Sequence, residues 1–496
     1  MNSRKIAETG TISGVGSAAT RILQTGAIAV VLVASTETIF DLDRFLVPKE
    51  LVLHLAAFSA AIFAIGALWR RAMTRADFFL GAYLLLSAIG AAAATNRWLG
   101  FRAFALSASA ILIFWTARAV GERRLVAALA VAVVIASIAS LLETYGLRVA
   151  YFASTRVPGG TLGNRNFVAH LAAIGLPLLF TIAVRGSKRA FVMSSLGVAI
   201  VSASLVLTRS RAAWMAAVVM LIVFTIFSRA WGRLAGAIAF GIAGAAAALL
   251  IPNTLQWRGR NPYLQSVVDV ANYEQGSGRG RLVQYGRSMV MAAAHPLFGV
   301  GAGNWPVVYP HFAAHGDPSI DGDNMTFNPW PSSDWIAFVS ERGLLATIAL
   351  FAALASIAFA SRDPAVMAIV AATIVAGLFD AVLLLPVPAF IVWAALGTCS
   401  AGSSAGADRV RAGPAAAIAI LIFIAAAGVY RSGAELLAME LYDRPERAAA
   451  IDPGNFRIQM RLASRCAHAK AAHALFPYAA HARAAAARCG GRRTTD

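Results

Sequence analysis

The sequence predicts an all-α polytopic membrane protein with about 12–13 transmembrane helices, one large periplasmic loop and a small helical C-terminal appendage. Three observations predict it. Of 496 residues, 59% are hydrophobic and only 14% charged. The apolar residues fall in runs of about twenty, the length that crosses a bilayer as helix. Short arginine-rich breaks separate the runs. A closed barrel would alternate apolar and polar positions instead, and a helix is the other backbone that satisfies its own hydrogen bonds in lipid.

The spans are read at 22–40, 51–69, 78–95, 101–120, 125–144, 166–184, 190–208, 212–228, 234–252, 343–360, 364–383, 385–399 and 414–430. Residues Met1 to Gln24, with Arg4, Lys5 and Arg21, read as a cytoplasmic tail entering the first span rather than as a cleaved signal. With the N-terminus inside, Arg70, Arg71 and Arg75, then Arg118, Arg123 and Arg124, then Arg185, Lys188 and Arg189, then Arg229 and Arg233 all fall on the cytoplasmic side, as the positive-inside rule requires. The opposite turn at 41–50 holds Asp41, Asp43 and Glu50 beside Arg44 and Lys49.

Four units follow: an N-terminal transmembrane bundle over 1–252, a large periplasmic loop over 253–335, C-terminal transmembrane helices over 336–430 with a cytoplasmic linker at 400–413, and a periplasmic helical tail over 431–496. The tail breaks at Asp452-Pro453-Gly454-Asn455, a helix-hairpin pattern like a tetratricopeptide unit, and reads as a docking appendage for a protein partner. The formal charge of +19 comes from clusters between apolar runs, without interleaved aromatic platforms. Membrane lipids rather than nucleic acid explain it. Three cysteines make no disulfide scaffold, although Cys466 and Cys489 can pair in a periplasmic tail.

Arginines on the outer side are what the topology rule leaves unexplained. Arg165 precedes the sixth span, Arg209 and Arg211 follow the seventh, and Arg258, Arg260, Arg279, Arg281 and Arg287 lie in the long loop. A guanidinium fork grips phosphate with two parallel hydrogen bonds and stays ionised, which suits a diphosphate headgroup and points first to Arg165, Arg211 and Arg281. Contact with anionic lipid, or pairing with Asp317, Asp321, Asp323 and Asp334, is the alternative. Ionisable residues inside spans are few: Glu143, Glu341, Arg342, Asp380, His54 and His170. Glu341 and Arg342 also suit capping, Asp380 helix pairing, and His170 an interhelical contact. His295, His311 and His315 share one loop without the carboxylate or cysteine spacing of a metal site, and no cofactor motif is present.

Four stretches resemble the O-antigen ligase and O-antigen polymerase superfamily of bacterial envelope glycosyltransferases. Gly160-Thr161-Leu162-Gly163-Asn164-Arg165-Asn166-Phe167 is similar to a Gly-Thr-x-Gly-Asn-x-Asn turn entering a span. Thr208-Arg209-Ser210-Arg211-Ala212-Ala213-Trp214 resembles its Ser-Arg element, and His295-Pro296-Leu297-Phe298-Gly299-Val300-Gly301-Ala302-Gly303-Asn304-Trp305 its Pro-Leu-x-Gly-Val-Gly run. Ser332-Ser333-Asp334-Trp335 and Ser340-Glu341-Arg342-Gly343-Leu344-Leu345 fall where it has His-Asn-x-aromatic and a Glu-x-Gly-Leu span entry.

The resemblance implies a bacterial inner-membrane enzyme that transfers a glycan from an undecaprenyl-diphosphate carrier to a periplasmic glycan, lipid or protein acceptor, without a metal or other cofactor. It places Arg211 and Arg281 at the catalytic diphosphate, with Arg165 and Arg279 beside them. The departure is Ser332, which stands where the ligases place the histidine taken as the acceptor-activating base. A serine hydroxyl is no base near neutral pH. Asp334 is the first candidate to replace it, with capping of the following helix as its other role; His170, His311, His315 and Glu341 are further candidates. A transporter or flippase for the lipid-linked glycan, or a non-catalytic partner that binds it, are the competing functions; transporters gather polar groups at the bilayer midplane, whereas these gather at one face.

Overall fold

The computed structural model describes residues 3–71, 73–147, 149, 151, 154–257, 261–268, 276–401 and 415–490. Arg258, Arg260 and most of the 400–413 linker lie outside the described residues. Thirteen apolar helices form the bundle: α1 (Ser3–Leu32), α2 (Asp43–Arg70), α3 (Arg75–Ala92), α4 (Arg97–Val120), α5 (Arg124–Thr144), α6 (Arg165–Arg185), α7 (Lys188–Leu207), α8 (Arg211–Phe227) and α9 (Trp231–Leu250), then, after three loop helices, α13 (Asp334–Ser361), α14 (Pro364–Gly377), α15 (Pro386–Ser400) and α16 (Ala415–Glu440). The loop helices are α10 (Pro262–Val268), α11 (Gly276–Ala294) and α12 (Trp305–Phe312); the tail folds as α17 (Pro445–Ile451), α18 (Phe456–Arg461), α19 (Cys466–Leu475) and α20 (Ala480–Gly490). Among the described residues, nine helices are long and apolar enough to cross a membrane, and four more apolar helices are shorter. The same residues form no β-sheet, only isolated bridges such as Arg156 with Asn164. The protein is therefore an all-α, multi-pass membrane protein, and each of the thirteen predicted runs falls on a helix.

The core is a bundle with α6 and α15 at its centre, both buried along most of their length. Three predicted boundaries change. The segment 41–50 is not a turn: α2 begins at Asp43, and Arg44, Lys49 and Glu50 are buried. Their charges find partners distant in sequence. Arg102 of α4 grips Glu50 with two bonds of 2.8 and 2.9 Å and reaches Glu435 of α16 at 3.0 Å and Asp43 at 3.1 Å. The Lys49 ammonium donates to the carbonyl of Val33. At the other end of the chain, the 364–383 run stops as helix at Gly377, so Asp380 lies in an irregular break before α15. Helix α13 starts nine residues ahead of the predicted 343–360 span, at Asp334, and breaks internally at Gly343, whose φ is +82°.

The break in α13 receives the loop. The amides of Val300 and Gly301 donate to the carbonyls of Ser340 and Glu341, and Leu344 N–H donates to Pro296 O, each at 2.9–3.0 Å. The Glu341 carboxylate then accepts from Gly303 N–H at 2.9 Å and Trp305 N–H at 3.0 Å. Arg342 is turned into the bundle, donating to the Tyr83 hydroxyl at 2.6 Å and lying against the rings of Tyr83 and Phe338. Glycine is required on both sides of this interlock. A Cβ on Gly299 would stand 2.2 Å from the Glu341 carbonyl carbon, and one on Gly343 would stand 2.2 Å from the Leu297 carbonyl oxygen. Beyond it, Trp305 and Tyr309 pack with Met291 and Val300 as the loop's own small core. Burial and the Asp317 carboxylate that accepts its proton at 2.6 Å push the Tyr309 phenol pKa up, so it stays a donor.

The tail lies on the loop's side of the bundle and touches it directly. Asp323 O accepts from Ala480 N–H at 2.8 Å, its carboxylate meets His481 at 2.6 Å, and His311 stacks on Tyr478 with ring centroids 5.2 Å apart. Cys466 and Cys489 form a disulfide that joins α19 to α20. Arg431 reaches Asp452 at 3.2 Å and lies over Trp98, against which Gly454 packs.

Gly343→Ala is expected to destabilise the detergent-purified protein by about 2 kcal/mol or more, because a left-handed position gains both a Cβ clash and strain. Gly232→Ala, where a Cβ would meet nothing within 4 Å, serves as the control and leaves the thermal midpoint unchanged or slightly higher. Equal midpoints for the two variants would remove the interlock as a source of stability.

Candidate functional site

The site is built where the start of α6 meets the turn between α7 and α8, helix α11 and the break between α14 and α15. The Gly160–Leu162 turn leads into α6 and is held by Glu143 of α5, whose carboxylate accepts from Gly160 N–H at 2.8 Å and Ser154 Oγ at 3.0 Å. The intramembrane acid Glu143 thus anchors a turn. Gly163, with φ +72°, packs where a Cβ would meet the Phe45 ring at 2.4 Å. Asn164 then caps α6 by accepting from Asn166 N–H at 3.0 Å. This leaves Arg165 facing the loop.

Arg165 and Arg209 converge on one indole. Their guanidinium carbons lie 4.7 and 4.9 Å from the centroid of the Trp257 ring. Arg209 is a non-glycine residue with φ +54° and its Nε donates to Ser266 Oγ at 2.9 Å. The charges that face Arg165 are the like charges of Arg156 and Arg209. No carboxylate lies within ion-pair distance of Arg165 among the described residues.

A second group adjoins the first through Asn166. Its side-chain amide donates to the Asp380 carboxylate at 3.1 Å, and the other carboxylate oxygen accepts from Ala381 N–H at 2.9 Å. Asp380 is half-buried. Below it, His170 is fully buried, neither ring nitrogen has a hydrogen-bond partner, and the charged groups it feels are Asp380 and Arg281 of α11. Helix α11 also fixes position 332: Gln284 Oε1 accepts from Ser332 N–H at 2.7 Å, and the Tyr285 hydroxyl donates to Ser332 O. Position 332 is therefore rigidly placed, with a serine on it.

The predicted residues divide. His170 feels the charges of Asp380 and Arg281, and Arg165 adjoins Asn166, which bonds Asp380. Arg211, the first residue of α8, lies two residues beyond Arg209, and Arg279 is exposed on α11. Asp334 needs correction as a base. It is 0% exposed, and its two oxygens accept from Val382 N–H at 3.0 Å and Leu383 N–H at 2.8 Å, so it ties the start of α13 to the α14–α15 break. Glu341 is likewise spent on the loop amides. His311 stacks on the tail and His315 is exposed; neither joins the arginines. Among the described residues no group of three or more histidine, cysteine or acidic side chains is placed to hold a metal. What sequence reasoning missed is Trp257 as the shared platform and Asp380 as the partner of Asn166. The available signals were an indole beside the loop arginines and a lone aspartate just before Pro386.

The chain is thus a multi-pass helical membrane protein with arginines and Asp380 at one end of its bundle. Residues 196–351 match the family model described as O-antigen ligase, which places this region in the ligase and polymerase superfamily. The match includes the stretches at 208–214, 295–305 and 332–345; the turn at 160–167 precedes it. No curated protein matches the chain.

Asp334→Asn is expected to cost about 1–3 kcal/mol, since an amide offers one acceptor oxygen to two buried donors and brings an N–H against one of them. Asp380→Asn, at a half-buried site, is expected to stay within about 1 kcal/mol of the parent. Thermal denaturation of the two variants side by side checks the assignment; the reverse order would show Asp380 to be the structural acid.

Proposed function

We propose that the protein transfers a glycan from an undecaprenyl-diphosphate carrier to an acceptor hydroxyl at the periplasmic face of the bacterial inner membrane. The observation that carries this reading is the approach of Arg165, Arg209 and Arg281, from three separate segments, to the outer end of α6. The periplasmic side is supported by the arginine-rich turns at the other end of the bundle and by a disulfide in the tail, which persists in an oxidising compartment.

In this reading the guanidiniums of Arg165, Arg209, Arg211 and Arg281 hold the diphosphate, and Arg279 stands at the rim. The acceptor oxygen attacks the anomeric carbon. Its new bond forms as the bond from that carbon to the diphosphate oxygen breaks, and the hydroxyl proton passes to Asp380. Negative charge grows on the leaving diphosphate, and fixed arginines stabilise it more in the transition state than in the bound substrate. Asn166 orients the Asp380 carboxylate, and His170 sits behind both. Ser332 leaves the position used for a base in the ligases without one, and Asp380 occupies adjacent space: its carbonyl accepts from Asp334 N–H at 3.2 Å.

The test is transfer by purified protein reconstituted with undecaprenyl-diphosphate glycan and a panel of glycan, lipid and protein acceptors. Arg281→Ala and Asp380→Asn are each expected to lower kcat by about 100-fold or more, with unchanged thermal midpoints. Transfer that survives Asp380→Asn would remove it as base. Binding of the lipid-linked glycan without transfer to any acceptor would favour the second reading, a non-catalytic carrier-binding partner, which the serine at 332 supports.

A further inference from the structure

At the end of the bundle opposite the loop lies a cavity of about 1000 Å³. Four arginines line it from four segments: Arg118 at the end of α4, Arg123 ahead of α5, Arg185 at the end of α6 and Arg362 at the end of α13. The one carboxylate in its lining, Asp363, is taken by Arg185 at 2.8 Å. Arg118 is turned to Asp77 at 3.6 Å and Thr74 at 3.2 Å. Arg123 and Arg362 are exposed and have no carboxylate within ion-pair distance among the described residues.

Helix C-terminal ends account for three of the four arginines, Arg362 lying at the C-cap of α13. Arg118 and Arg185 sit in the last turns of their helices, where the carbonyl ends attract cations. Arg123 occupies the N-cap of α5, directly before Arg124, so two cations face the positive end of a helix. The Glu122 carboxylate, which accepts from Arg124 N–H at 3.4 Å, offsets part of that repulsion, and an anion in the cavity relieves more of it. The walls add Val126 and Ile182, apolar side chains suited to an acyl chain.

We propose that this cavity binds the phosphodiester headgroup of an anionic phospholipid from the leaflet opposite the long loop. Guanidinium forks match phosphate oxygens, and basic pockets between transmembrane helices favour anionic headgroups over zwitterionic ones. A lipid seated there bridges the ends of α4, α6 and α13, and α6 carries the candidate site at its other end. The site is independent of the glycan-transfer reading.

Native mass spectrometry of the delipidated full-length protein, titrated with phosphatidylglycerol or phosphatidylcholine, tests it. The wild type is expected to prefer phosphatidylglycerol. The pair Arg123→Gln and Arg362→Asn, the latter chosen because asparagine tolerates the left-handed φ of +49° at 362, is expected to weaken it by roughly thirtyfold, at about fivefold per arginine. Phosphatidylcholine binding stays unchanged, and Arg189→Gln on the same face but outside the cavity behaves as wild type. Gel filtration verifies that the variants are folded. Equal binding of the two lipids by the wild type, or undiminished phosphatidylglycerol binding by the folded double variant, overturns the proposal. So does full displacement of the lipid by millimolar inorganic phosphate, which would assign the cavity to a soluble anion.

Discussion

The break in α13 is the constraint on which the loop, and with it the site, depends. A helix interrupted at Gly343 leaves carbonyls without their own amides at a membrane edge, where no water reliably replaces them. The Pro296–Trp305 run supplies those amides, the Glu341 carboxylate accepts two more from Gly303 and Trp305, and Leu344 N–H returns a bond to Pro296 O. The exchange is reciprocal, so neither element is satisfied alone. Helix α11 precedes that run and packs on α13, so the same interlock sets the height at which Arg281, Gln284 and Tyr285 approach the bundle.

Arginine serves two opposed purposes in this molecule, and the local partners separate them. Arg102, Arg342 and Arg431 are consumed by carboxylates, hydroxyls and aromatic faces, and they join helices. Breaking a pair of this kind leaves a buried charge uncompensated, a loss of about 3–5 kcal/mol. Arg165 instead faces arginines across an indole. The structural arginines join the bundle, whereas Arg165 and Arg209 share the Trp257 ring at the end where the loop lies.

The membrane helices were legible in the sequence because length and hydropathy decide them locally. What was illegible depended on partners far along the chain. Asp43, Arg44, Lys49 and Glu50 have the charge density of a turn, and Arg102, the Val33 carbonyl and the Tyr151 carbonyl make them acceptable inside a bundle. The Glu-Arg-Gly-Leu entry to a span was visible as a pattern, but its pairing with the Pro-Leu-Phe-Gly run joins positions about forty residues apart, which no local rule connects. The site was half visible. Arg165 and Arg281 stood out because the positive-inside rule disfavours them. Asp334 and Asp380 are alike in sequence terms, each an acid beside an apolar run. Which one is buried under amides and which stays open is decided by the fold of the α14–α15 break.

The tail's contacts also order the assembly of the protein in time. Glu435 of α16 is one of the three carboxylates around Arg102, and Ala480 and Tyr478 close over Asp323 and His311 of a loop made more than a hundred residues earlier. A chain emerging from the ribosome inserts its first twelve apolar helices with Arg102 short of one partner and the loop uncovered. Both are completed by the final span and the segment that crosses behind it. A truncation before α16 therefore leaves a nearly complete bundle in which Arg102 keeps Glu50 and Asp43 but loses Glu435, and the loop lacks its cover.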